Sequence, residues 1–189
     1  MNTQAPPQPQ QPQQQNQVIQ QPIIIQAQYV KDLSFENPGA PNVLSGQNQP
    51  PEIAINLDMD GRQLGERQFE VLLKINAEAK TDGNTIFITE LTYGGVCAVA
   101  EQVPKEQIAA VAMIEGARHL FPFARSVLAT ATRDGGFPPL LMNPVNFVAY
   151  YQQLVARRQQ EQQAQAAAQN GETGQIAPNG EHKLSLIHI

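Results

Sequence analysis

The chain has 189 residues, 41% of them hydrophobic and only 15% charged, with one Cys and no Trp. A formal charge of −5 argues against a polyanionic partner, so no nucleic acid is expected. A lone cysteine excludes a disulfide framework and a cysteine-rich zinc site within one chain.

Residues 1–22 are rich in Gln and Pro, with ten Gln among the first 21 positions and no charge before Lys31. Such a segment buries too little apolar surface to offset its chain entropy, and disorder is the expectation. The first apolar cluster, Ile23-Ile24-Ile25, follows no Lys or Arg and is too short for a signal peptide. Nor does any segment approach the roughly 20 apolar residues that span a bilayer. A cytoplasmic protein without membrane insertion is expected.

The folded domain is expected over residues 23–161. Ile23 to Phe35 reads as a strand ending at Pro38-Gly39-Ala40-Pro41. From Glu52 to Asp60 the apolar Ile53, Ile55, Leu57 and Met59 alternate with polar residues, the period of a half-buried strand. Arg67 to Lys80 repeats it with Phe69, Val71, Leu73, Ile75 and Ala77. Asp82-Gly83 suits a tight hairpin, and Thr85 to Ala100 returns as a long β-branched strand. Gly94-Gly95 within it suggests a bulge that bends the strand.

After Pro104 the period changes, and a helix is expected to start at Lys105-Glu106 and stop at Asp134-Gly135-Gly136. From Gln107 to Thr132 its only charges are Glu115, Arg118 and Arg125, so its apolar surface runs nearly all round. A domain this small has little else to cover it, which implies a second subunit. Pro122 is expected to kink the helix. The apolar loop Phe137-Pro138-Pro139-Leu140-Leu141-Met142 leads to a last helix beginning near Pro144. Strands followed by helices give an α+β fold: a four-stranded antiparallel sheet, then one long and one shorter helix. Residues 162–189 read as a loose tail ending in the unexpectedly apolar 184–189.

Charge divides between the halves. Residues 32–106 hold 12 acids and five bases, net −7, whereas residues 107–161 hold three acids and five bases, net +2. The sheet therefore offers an acidic face as a candidate docking surface. Catalytic or cofactor-binding patterns are sparse. Cys97 and His119 are the nucleophile and base candidates, both in apolar segments where a packing role is favoured. No metal-ligand spacing or phosphate loop occurs, and no cofactor is expected.

Several segments, in order, resemble the SecB family of bacterial protein-export chaperones. They are Tyr29-Val30-Lys31-Asp32-Leu33-Ser34-Phe35-Glu36-Asn37-Pro38, Tyr93-Gly94-Gly95-Val96, Leu120-Phe121-Pro122-Phe123-Ala124-Arg125, Gly136-Phe137-Pro138-Pro139 and Asn143-Pro144-Val145-Asn146-Phe147. The resemblance covers about Ile25 to Leu154. It implies a homotetramer, a dimer of dimers, that binds unfolded precursor proteins without ATP. It implies delivery of those proteins to the motor SecA, docked through Asp32, Glu36, Ile88 and Glu90. Alternation separates that set from Thr89, Leu91 and Tyr93, which match a surface used between subunits. Phe137, Leu140, Leu141, Met142 and Phe147 are the client-binding candidates. Some members carry a Trp in the loop before the second strand, where this chain has Gln47-Asn48-Gln49. An adaptor for one dedicated partner, such as a toxin–antitoxin chaperone, is the rival reading. A small enzyme using Cys97 or His119 is the more distant one.

Overall fold

Period-two alternation becomes an antiparallel sheet in the computed structural model, which describes residues 21–44 and 50–172. The strands are β1 (Ile23–Glu36), β2 (Glu52–Gln63), β3 (Gln68–Thr81) and β4 (Asn84–Val99), in spatial order β1-β4-β3-β2. Asp82 and Gly83, at φ 51° and 78°, close the β3–β4 hairpin, the left-handed pair that matches strand twist. Helix α1 (Ile108–Asp134) follows a short 3₁₀ turn at Lys105–Gln107 and packs on β4 and β3. Helix α2 (Phe147–Glu172) completes the α+β architecture. Residues 1–20, the Gln47-Asn48-Gln49 loop and the tail from 173 lie outside the described residues.

The odd-numbered residues Phe69, Val71, Leu73 and Ile75 of β3 stand opposite Cys97, Gly95, Tyr93 and Leu91 of β4. That face meets Ala112, Met113, Ala117, Leu120, Ala124 and Leu128 of α1, and the two sets make the main core. Burying these side chains removes apolar surface from water at roughly 25 cal/mol per Å², the main force holding helix to sheet.

Three details differ from the sequence expectation. The slips fall at Gln26 and Lys31 of β1 and at Ile86 of β4, and the β3–β4 ladder is continuous through Gly94 and Gly95. The two glycines serve close approach instead. A Cβ on Gly94 would lie 2.8 Å from Tyr29 Cε2, and one on Gly95 2.6 Å from Leu120 Cδ2. Helix α1 carries Pro122 inside one element, Ile108–Asp134. The last helix starts at Phe147 rather than near Pro144, because Asn146 Oδ1 caps it by accepting the Ala149 N–H at 3.1 Å. It also continues past residue 161 to Glu172, through a run of Gln and Ala with good helix propensity.

Candidate functional site

Two surfaces carry the candidate site residues, one charged and one apolar. On the outer face of the sheet, away from α1, the bulge at Lys31 resets the alternation of β1. Asp32 then pairs with Thr92, Ser34 with Glu90 and Glu36 with Ile88. Asp32, Glu36, Ile88 and Glu90 consequently share one face of two neighbouring strands. Asn76 of β3 donates to Glu90 Oε1 at 2.7 Å. Among the described residues no cation pairs with Asp32, Glu36 or Glu90. Their negative charge is left uncompensated by the fold. Beside them, Glu78 pairs with Lys80 at 3.0 Å, and the Thr85 hydroxyl, then Lys80, hold its carboxyl below the usual range.

Further along the same face, Glu70 is buried. Tyr29 Oη donates to its carboxylate at 2.6 Å and Lys31 Nζ at 3.0 Å, while Arg62 lies 3.1 Å away. The Tyr29 hydrogen bond, then the Lys31 one, lower the Glu70 carboxyl pKa; the same bond raises that of the phenol.

Thr89, Leu91 and Tyr93, which the resemblance matches to a surface used between subunits, stand on the α1 side of the sheet. Each is at most 6% exposed, facing α1 of the same chain, with Thr89 Oγ1 donating to the Ser34 carbonyl at 2.9 Å. They offer no open surface to a second subunit, because the chain's own helix covers them.

The apolar surface is a groove of about 540 Å³. Phe137, Leu140 and Leu141 line it with Val43, Leu44, Pro50, Pro51, Ile53, Ile86 and Phe87. Two aromatic rings line it, Phe87 and Phe137, 5.0 Å apart between centroids, and Phe35 stacks on Phe87 at 5.7 Å without lining the groove itself. Leu141 stands 79% exposed on the rim. Met142 and Phe147, by contrast, turn into the main core, where Phe147 meets Phe121 edge to face at 5.5 Å. They support the loop from beneath and do not line the groove.

Thr132 fixes that loop. It is buried, donates to the Leu128 carbonyl at 3.0 Å and accepts the Leu140 N–H at 2.9 Å. A Thr in the last turn of an apolar helix is the one sequence signal for it. The other lining residues leave no sequence signal, because they come from separate segments at 43–44, 50–53 and 86–87. The enzyme candidates do not meet. Cys97 is buried beneath α1, its thiol pushed up to about 11 by burial. His119 is exposed, with Nδ1 2.8 Å from the Glu115 carbonyl oxygen. Among the described residues no group of His, Cys, Asp and Glu is placed to hold a metal ion.

An apolar groove on one side of the sheet, with carboxylates that pair with no cation among the described residues on the other, has the form of a polypeptide-binding protein. The fold is similar to the SecB-like chaperone of Mycobacterium tuberculosis, solved with a peptide from the HigA1 antitoxin. That likeness has a TM-score of 0.50 at 14% identity, covering 65% of this chain and 90% of the other. The family model for preprotein translocase subunit SecB matches residues 13–159. The protein-export protein SecB of Bradyrhizobium diazoefficiens is 51% identical over 70% of this chain and 81% of its own. That of Mesorhizobium japonicum is 50% identical over 70% and 79%. The chain belongs to the SecB family of protein-export chaperones.

Proposed function

We propose that the chain holds unfolded precursor proteins in the apolar groove and passes them to SecA, as a cytoplasmic homotetramer built as a dimer of dimers. The observation that carries the reading is the groove, where Leu141 and its neighbours offer wet apolar surface over the Phe87–Phe137 floor. Many weak apolar contacts along a groove give affinity without requiring one client sequence. Four copies raise it further, since a client held at one groove meets the next at high effective concentration. Assembly is supported by α1, whose face away from the sheet leaves Phe123 49% exposed. Since Thr89, Leu91 and Tyr93 already lie under that helix, they would shape such an interface from below.

SecA docking falls to Asp32, Glu36, Ile88 and Glu90, whose carboxylates have no paired cation among the described residues and lie beside one half-buried aliphatic group. Client delivery by capture at the motor needs no hydrolysis by the chaperone. The test has two arms. Suppression of aggregation of an unfolded precursor is expected to be equal with and without ATP; no suppression at a near-stoichiometric ratio overturns the holdase reading. Asp32→Lys and Glu90→Lys are expected to weaken SecA binding while leaving client binding and solution mass unchanged. Unchanged SecA affinity would make the acidic face merely solvated.

A further inference from the structure

We infer that the free edge of β2, at Ile53 and Ile55, binds the client backbone by adding an extended segment to the sheet as a further strand. This rests on the groove reading and states how the bound chain is held.

Strand β2 closes one side of the sheet, since among the described residues it pairs with β3 alone. The β2–β3 hairpin fixes the direction of its backbone groups. Leu64 N donates to Gln68 O at 2.8 Å, so even-numbered residues of β2 turn their N–H and C=O toward β3. Odd-numbered ones turn away. Tyr150 Oη agrees with this phase, reaching the Leu57 carbonyl from outside at 2.7 Å. Beyond Leu57 nothing among the described residues takes the outward groups of Ile53 and Ile55. Two N–H donors and two carbonyl acceptors therefore face solvent in a row, spaced as a second strand requires.

Edges of this kind are usually protected by Lys, Pro, bulges or a covering element. The opposite edge fits that pattern, as β1 has two bulges and carries Lys31. Ile53-Ala54-Ile55-Asn56-Leu57 has no such protection. The side chains of Ile53 and Ile55, 44% and 38% exposed, lie on the α1 side of the sheet, and Ile53 also lines the groove. A segment paired with this edge would send every second side chain toward the Phe137–Leu141 loop. Glu52, at the open end of the run, has no ion pair among the described residues and suits a cationic flank on the guest. The occupant is accordingly an extended apolar segment of an unfolded polypeptide. Main-chain pairing gives affinity independent of sequence, and the groove adds preference for apolar residues.

Proline at position 55 would remove one outward donor without touching the ladder to β3, a placement edge strands tolerate. The probe is reduced, carboxymethylated lactalbumin, with Ile55→Ala as the control for the lost side chain. Ile55→Pro is expected to bind roughly three- to tenfold more weakly than Ile55→Ala, the size of one hydrogen bond. Equal affinity of the two variants overturns the inference while leaving the groove reading standing. Should Ile55→Pro fail to fold, amide exchange on the wild-type chain decides: the Ile53 and Ile55 amides are expected to gain protection when the probe is bound. No gain, or protection already present in the free protein because a second copy pairs there, overturns it. A wild-type chain that binds no probe overturns both readings.

Discussion

Tyr29 reaches Glu70 across the intervening strand: its hydroxyl on β1 donates at 2.6 Å to a carboxylate on β3, passing over Gly94 of β4. Lys31 and Arg62 complete the surroundings of that buried charge. A carboxylate so placed is stable only while all its donors remain.

Glu70→Gln is accordingly expected to destabilise the protein by about 2 kcal/mol at pH 7, the scale of losing charge-assisted hydrogen bonds. The sign with pH follows from the lowered Glu70 pKa. The native state holds the proton more weakly than the unfolded one, so the contribution is whole above the ordinary Glu value of about 4.3. It is lost as pH falls through the native value. Denaturant titrations of both proteins between pH 7 and pH 3 should converge at the acid end; a constant gap would remove the charge from the explanation.

Gly94→Ala would bring its Cβ within 2.8 Å of Tyr29 Cε2 and 3.0 Å of Leu72 Cδ2. Overpacking of this kind costs roughly 1–3 kcal/mol. In a Tyr29→Ala background most of that cost should vanish, because the ring is the nearest obstacle. Additive costs in the double-mutant cycle would show that Gly94 is needed for some other reason.

With its thiol pushed up to about 11, Cys97 carries about one thiolate in a thousand at pH 8, under a covering helix. Iodoacetamide is expected to leave the native protein unlabelled over the time that fully alkylates the unfolded chain. Labelling of the folded protein at the unfolded rate would mean that β4 is not covered by α1.

Thr132→Val keeps the side-chain volume but leaves the Leu140 N–H buried without its acceptor. A cost of roughly 1–3 kcal/mol follows. Because the same bond fixes the groove loop, client affinity should fall alongside stability, whereas the exposed Thr130→Val should change neither. Undiminished affinity in folded Thr132→Val would separate the loop's position from binding.

Strands β2, β3 and β4 are legible in the sequence because their alternation is unbroken from Ile53 to Met59 and from Phe69 to Ala77. Strand β1 is legible as a strand but not in its faces, since the slips at Gln26 and Lys31 exchange odd and even with no compositional mark. The docking set came from the resemblance, and only the register shows why Asp32 can join Glu90. Alternation also separated Thr89, Leu91 and Tyr93 from that set, yet a local pattern gives a face and not the body that covers it. The groove shows the same limit. Leu141 and Met142 are chemically alike, and only the Thr132–Leu140 bond and the core around Phe121 decide that one is wet and the other buried.

The extra residue at Lys31 gives β1 a place where a change of chain length is absorbed. Removing it would set Val30 opposite Tyr93 and Asp32 opposite Thr92 as consecutive pairs, a regular ladder in which Asp32 and Glu36 keep the outer face and Leu33 and Phe35 the α1 side. An insertion or deletion at this point is therefore a smaller change to the acidic face than one further along the strand, where no slip is present to take it up.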